Sequence, residues 1–389
     1  MLGRRCQPAK DPIVKNSLLV IALLFVCQLQ LLCADEGIKA VRGVWLTNVD
    51  SQVLNSRENI VRAVDRCSEL GINTIFVVTW NKTMTSYPSK AVKEVTGVEI
   101  DTLFTGRDPL KELIEVAHKK DIKVIAWFEF GFSASYRQNG GVLIKAKPDW
   151  AALDVDGKLV TKNGFEWMNG FKPAVQNFML SLIMEVVKNY KIDGIQGDDR
   201  LPAMPSESGY DPYTVKLYQS QHNGALPPRN SKDSAWVQWR ADILNVFMEK
   251  IHHTVKAYNK DIIISMSPSI YPWSKEEYLQ DWPAWVQRGL VDMVNPQVYR
   301  YDIKAYAEAL KDIVELQIDK KNLFRCYPGI LLKLADYYPS REFLSDMLKE
   351  NRRYGINGEV MFFYEGLSHH ADVFREFYHQ KAVFPSLLN

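Results

Sequence analysis

The chain has 389 residues, with 47% hydrophobic, 24% charged and 12% aromatic residues. That is ordinary globular composition and excludes a disordered, collagen-like or polytopic membrane protein. Forty-eight basic against 46 acidic residues leave a formal charge of only +2, so no global basic field exists to hold a nucleic acid.

The chain opens with Arg4, Arg5, Lys10 and Lys15, then an apolar run from Leu18 to Leu32 that Gln28 and Gln30 interrupt. A basic start, a short apolar middle and a small residue, Ala34, before Asp35-Glu36 form the pattern of a secretory signal peptide over residues 1–34. The run is short and broken for a retained membrane span. A lipid-bearing Cys33 is disfavoured because Leu32 before it is not small. The reading predicts a secreted or periplasmic protein with no membrane span after cleavage. The remaining 35–389 is close to neutral. It keeps only Cys67 and Cys326 of five cysteines, too few for a disulfide framework, and both are expected as buried free thiols.

From residue 43 on, short β-branched and aromatic runs alternate with helical patterns. The predicted strands are Gly43–Val49, Ile72–Trp80, Lys123–Phe130, Gly194–Asp198, Ile262–Ser267, Met293–Tyr299, Phe324–Ile330 and Glu359–Tyr364. Between them, Leu110, Leu113, Ile114 and Ala117 take helical spacing behind Asp108-Pro109, a cap and first-turn proline. Val175 through Tyr190 form another apolar helix face, and Phe343 through Leu348 follow Ser340, a third cap. The longest helix is predicted from about Ala235 to Tyr258, with Trp239, Ile243, Val246, Phe247 and Ile251 inward.

Eight strand–helix units without an internal break predict one α/β domain over 35–389, a single (β/α)₈ TIM barrel. An open doubly wound sheet is the alternative, but no Gly-x-Gly-x-x-Gly follows any strand. Helix-to-strand connections are tight, whereas Asn81–Arg107, Gly131–Lys172 and Arg200–Asp233 are long strand-to-helix loops. They gather at the C-terminal ends of the strands, where barrels build their sites.

Four carboxylates fall at those strand ends and are the candidate catalytic groups: Asp198, Glu129, Asp199 and Glu365. In a strand Gln196 and Asp198 share one face and Asp199 takes the other. Hydrolysis of a glycosidic bond needs two carboxyl groups, one to protonate the leaving oxygen and one to attack or activate water, about 5 Å or about 6.5–9.5 Å apart. Asp198 is the leading candidate for nucleophile or general base. Glu129, among Trp127, Phe128 and Phe130, is the candidate general acid, because an apolar setting raises a carboxyl pKa. Asp199 and Glu365 stand in reserve, since Asp199 can pair with Arg200 and Glu365 can hold the last loop. Asn48, Trp80, Tyr87, Trp167, Asn169, Gln297 and Tyr299 are the expected substrate contacts, because aromatic rings stack on the C–H face of a sugar. No histidine or cysteine has metal-ligand spacing, and no cofactor is implied. Asn81-Lys82-Thr83 matches the N-glycosylation pattern.

Several stretches together carry a resemblance. They are Arg42-Gly43-Val44-Trp45-Leu46-Thr47-Asn48, Asp108-Pro109-Leu110 with Ala126-Trp127-Phe128-Glu129, Trp167-Met168-Asn169, and Asp193-Gly194-Ile195-Gln196-Gly197-Asp198-Asp199. Asp281-Trp282-Pro283-Ala284-Trp285-Val286, Asn295-Pro296-Gln297-Val298-Tyr299-Arg300 and Phe363-Tyr364-Glu365-Gly366-Leu367 complete the set. In these the chain resembles the glycosyl-hydrolase-like family 10 of exported bacterial proteins. The resemblance implies a TIM-barrel hydrolase of O-glycosyl bonds in a polysaccharide, with glycan strands of peptidoglycan among the substrates. Gly197 stands where relatives carry a bulky aromatic, which implies a wider floor beside Asp198. Glu129 fits one branch of the family, while others have Asn. A glycan-binding barrel without chemistry is the rival reading, and a metal-dependent hydrolase using Asp198 and Asp199 is a third.

Overall fold

A computed structural model describes residue 3 and residues 37–387. The expected leader therefore lies outside the described residues, save for Gly3. Lys39–Asn389 groups as one compact unit.

Eight parallel strands form its centre: β1 (Val41–Leu46), β2 (Thr74–Val78), β3 (Lys123–Trp127), β4 (Gly194–Gly197), β5 (Ile263–Met266), β6 (Met293–Val294), β7 (Gly329–Leu331) and β8 (Gly358–Phe362). They run β6-β5-β4-β3-β2-β1-β8-β7 in the sheet. The sheet curls until its two ends meet. Parallel bridges Val294–Cys326 and Gln297–Gly329 join β6 to β7, with Gly329 N donating to Pro296 O at 2.8 Å. The expected TIM barrel is the observed fold.

Of the twelve α-helices among the described residues, eight stand last in a strand-to-strand connection or follow the final strand: α1 (Arg57–Glu69), α2 (Pro109–His118), α3 (Pro173–Asn189), α4 (Ser234–Tyr258), α5 (Trp282–Gln287), α6 (Ile303–Asp312), α7 (Arg341–Arg353) and α8 (Ala371–Phe377). The caps are those the sequence offers. Asp108 accepts from Lys111 N ahead of Pro109, and Ser340 accepts from Phe343 N at 3.1 Å. Each satisfies an N–H that the first helical turn would leave unpaired.

Two expectations shift. Residues Lys320–Arg325 wind as a 3-10 helix, so the seventh strand begins at Gly329 rather than Phe324. The buried stripe of α4 is also rotated. It runs through Trp236, Arg240, Leu244, Phe247 and Ile251, leaving Val246 62% exposed. Arg240 hides this stripe from a hydrophobicity count. Its guanidinium is buried because it donates to the carbonyls of Ser206, Ser208 and Ser231 at 2.5–2.6 Å.

Inside the barrel, Trp127, Gln196 and Ser265 lie across from one another in the parallel register. Trp45 Nε1 donates to Gln196 Oε1 (2.7 Å), and Gln196 Nε2 donates to Ser265 Oγ (2.8 Å) and Asn295 Oδ1 (3.0 Å). Asn295 Nδ2 ends the chain on the Tyr327 carbonyl at 2.9 Å. The polar atoms of Gln196, Ser265 and Asn295 and the Trp45 ring N–H are thus joined in one buried network, which stiffens the floor. At the opposite end, Asp193 accepts from Lys123 Nζ (2.8 Å) and Val124 N and pairs with His118, a barrel-bottom ion pair. Cys67 and Cys326 are buried free thiols, each pushed up to about 12 by burial.

Candidate active site

The candidate site stands on that floor, at the C-terminal ends of the strands. Alternation places Asp198 on the same inward face as Gln196. Its side chain is only 2% exposed. Arg200 N donates to Asp198 Oδ1 at 2.9 Å and Arg200 Nη2 to Oδ2 at 3.1 Å, while Gln280 Nε2 donates to the Asp198 carbonyl. Both carboxylate oxygens thus accept from N–H donors of Arg200.

Glu129 follows β3 and is partly open to solvent. Thr47 Oγ1, from the end of β1, donates to Glu129 Oε2 at 3.0 Å. Asn81 Nδ2, from the short hairpin strand Trp80–Asn81 that follows β2, donates to the same oxygen at 3.1 Å and to Asn48 Oδ1 at 2.9 Å. Among the described residues no hydrogen bond reaches Glu129 Oε1. Side chains beyond β1 and β2 therefore grip one oxygen of an acid carried by β3 and leave the other free.

Asp199 is 27% exposed at its side chain, against 2% for Asp198. Arg200 Nη1 lies 3.2 Å from Asp199 Oδ1 as an ion pair, but the alignment is not that of a hydrogen bond, and Oδ1 is buried without one. Tyr299 sits beside this group and stacks obliquely on Phe362 with ring centroids 5.4 Å apart. Burial, then the charges of Asp199, Asp198 and Glu129, push its phenol well above the ordinary range. All three acids thus surround one tyrosine at the barrel mouth.

The Asp198 and Asp199 carboxyl groups pair with the Arg200 guanidinium, and the Glu129 carboxyl feels its charge. Burial raises the pKa of Glu129, with Arg200 and Thr47 pulling against it and Asp199 adding to it. Burial also drives Asp198 upward, again opposed by Arg200. Such a cluster titrates as a unit, and hydrogen-bond geometry decides where the proton rests. It favours Glu129, whose Oε1 is unoccupied, over Asp198, whose two oxygens are both engaged.

Residues 40–335 match the model of the family described as glycosyl hydrolase-like 10. The chain belongs to that family. Glycosyl hydrolase DigH of Escherichia coli is 25% identical, covering 71% of this chain and 72% of that protein. Glycosyl hydrolase YngK of Bacillus subtilis is 22% identical over 76% of this chain and 60% of its own length. Among solved structures, the glycoside hydrolase domain of PgaB (BpsB) from Bordetella bronchiseptica superposes with a TM-score of 0.66 at 14% identity, covering 89% of this chain and 100% of that one. The last likeness is one of fold.

Within this glycosyl hydrolase-like 10 barrel the sequence-predicted residues separate into groups. Asp198, Asp199, Glu129, Asn48 and Tyr299 come together at the mouth. Gln297 is part-exposed on the loop that carries Tyr299, and its Nε2 donates to the Ser267 carbonyl at 3.0 Å. Glu365 lies in a short turn after β8 and accepts from Ser51 Oγ at 2.7 Å, tying the last loop to the first. Four side chains expected to meet substrate have interior partners instead. Trp80 is fully buried and donates to the Gly131 carbonyl, and Tyr87 OH donates to the Leu182 carbonyl. Trp167, 1% exposed, packs on Tyr278, while Asn169 bonds Thr214 and the backbone of Phe171. Such rings are large enough to be worth burying on apolar area alone.

The floor beside Asp198 is not widened at Gly197. A Cβ there would lie 2.3 Å from the Leu201 carbonyl oxygen and 2.9 Å from Met266 Sδ, so chain fills the space a family aromatic would take. Sequence reasoning missed Thr47, Asn81 and Arg200 as parts of the site. Asn81 matched a glycosylation pattern, yet it is 5% exposed and engaged with Glu129. Arg200 was visible only as a partner for Asp199. Among the described residues no group of three or more His, Cys, Asp or Glu side chains is arranged to hold a metal ion. A concavity of about 1100 Å³ has Tyr271, Asp281, Gln317 and Tyr354 among its lining residues and none of the acids Glu129, Asp198 and Asp199.

Proposed function

We propose that the protein is an exported hydrolase of O-glycosyl bonds in a polysaccharide that works by paired carboxyl chemistry, with Glu129 as general acid and Asp199 as the cleft-facing carboxylate. The observation that carries this reading is the asymmetry of the cluster. Glu129 is fixed through Oε2 and free at Oε1, where a proton would point at a leaving glycosidic oxygen. Asp199, beside a guanidinium and part-exposed, is suited to attack the anomeric carbon or to activate water. Asp198, the leading candidate from the sequence, is buried and held at both oxygens. Its role in this reading is to anchor Arg200. Tyr299 and Asn48 line the same mouth and are the proposed sugar contacts, with Gln297 behind them.

The family relationship supports a glycan substrate, and a near-neutral chain outside the leader suits an uncharged one. Peptidoglycan glycan strands are the proposed class, and export by the leader is part of the same reading. The test is incubation of purified protein with defined glycans, including peptide-free peptidoglycan strands, followed by mass analysis. New reducing ends that vanish in Asp199→Asn and Glu129→Gln support hydrolysis. Binding without cleavage by the unaltered protein would favour the rival reading, a glycan-binding barrel without chemistry.

A further inference from the structure

We propose that Arg200 is the positioning residue of this site: one guanidinium, clamped by Asp198, that sets the Glu129 and Asp199 carboxyl groups relative to each other. The inference rests on the hydrolase reading only for its kinetic consequence. The geometry stands by itself.

Every edge of Arg200 is used. Nε donates to the Glu129 backbone carbonyl at 2.9 Å, which fixes the loop carrying that acid. Nη2 donates to Asp198 Oδ2, and Nη1 lies against Asp199 Oδ1. The guanidinium face covers the Phe165 ring, its carbon 4.8 Å from the ring centroid. The backbone is tied as well: Arg200 N reaches Asp198 Oδ1, and Phe132 N donates to the Arg200 carbonyl at 3.0 Å. Gly131 permits this last approach. Its φ is +51°, and a Cβ there would sit 2.1 Å from the Arg200 carbonyl oxygen. The loops after β3 and β4 thus meet at one residue, and each acid is reached from it.

A planar fork is needed for this. A lysine ammonium is a single point charge on a flexible stem and lacks the fixed fork that directs N–H groups to the Glu129 carbonyl and the Asp198 carboxylate while holding charge against Asp199. Two consequences separate. Charge at position 200 opposes the upward push that burial gives Glu129, and fork geometry places the two acids. Removing the charge raises Glu129 further, so the alkaline limb of kcat/KM, where the general acid loses its proton, moves upward.

The test compares Arg200→Met and Arg200→Lys with the unaltered protein. Glu129 is titrated without substrate by carboxyl carbon NMR, its signal assigned by its loss in Glu129→Gln. In Arg200→Met the Glu129 titration moves up by about one pH unit or more, the scale of losing a neighbouring opposite charge. In Arg200→Lys it moves less, while kcat falls at least tenfold with KM within about threefold, the mark of lost orientation. An unmoved Glu129 titration in Arg200→Met, or full kcat in Arg200→Lys, overturns the proposal. If Arg200→Met does not fold, the Arg200→Lys kinetics decide it. If the unaltered protein cleaves no glycan, the hydrolase reading fails, and the substrate-free titration still decides the role of Arg200.

Discussion

Replacing Glu129 by Gln should abolish turnover and at the same time stabilise the protein at neutral pH. The exchange keeps the local hydrogen bonds: the Gln oxygen can still accept from Thr47 Oγ1 and Asn81 Nδ2, and the amide takes the place of Oε1, which is unoccupied among the described residues. What is lost is the titratable group. Burial raises Glu129 above its ordinary value of 4.5, so folding favours the protonated form. Its contribution to stability is full below the unfolded value and is lost as pH rises through the folded one. Each pH unit of upward shift is worth about 1.4 kcal/mol, and partial exposure of Glu129 reduces what is realised. A folded unit of about 350 residues has an unfolding entropy near 0.7 kcal/mol/K, so 1.4 kcal/mol corresponds to about 2 °C in Tm. Thermal unfolding of both proteins from pH 3.5 to 8 should show the variant melting higher at pH 7.5, with the gap closing below about pH 4. A variant that melts lower at pH 7.5 would refute the reasoning, because it would mean that the native protein stabilises an ionised Glu129.

Three further outcomes follow from the same geometry. Asp198→Asn should lower kcat without removing it, because an amide cannot accept from Arg200 N and Arg200 Nη2 through both of its terminal atoms; initial rates measure this, and complete loss of turnover in the folded variant would return Asp198 to a reacting role. Gly131→Ala should lower kcat more than Tm, since the added methyl must push the Arg200 carbonyl away while the floor beneath is untouched; equal rates would contradict the close approach. Glu359 lies at the other end of the barrel, fully buried, where burial pushes it up but Arg352, Tyr378 and Asn351 outweigh that and hold it below its ordinary value. Glu359→Gln should therefore cost about 3–5 kcal/mol at neutral pH, with the penalty fading as pH falls through the native Glu359 value, and should leave the kcat of the folded enzyme unchanged; urea titrations at pH 7 and pH 4 read this.

The residues of this chain divide by the range of the forces that act on them. Strand and helix order, the caps at Asp108 and Ser340, and the long loops gathered at one rim were legible because they follow from local periodicity and backbone hydrogen bonding. That Glu129, Asp198 and Asp199 belong to one site also followed, since consecutive barrel strands bring their ends together. The burial of Trp80, Tyr87, Trp167 and Asn169 was not legible. A ring at a strand end reads alike whether it faces a cleft or a neighbouring helix, and only loop packing chooses. The stripe of α4 was misplaced for a related reason, because a buried arginine with carbonyl partners carries no apolar signal. The order of the two aspartates was also beyond the sequence. Adjacent carboxylates point to opposite sides of a strand, but which one meets solvent depends on where Arg200 settles. Its guanidinium is held by the Glu129 carbonyl, from a loop far away in the chain, and by the Asp198 and Asp199 carboxylates, so the sequence supplied the acids and the tertiary structure decided which of them is buried and clamped and which is part-exposed.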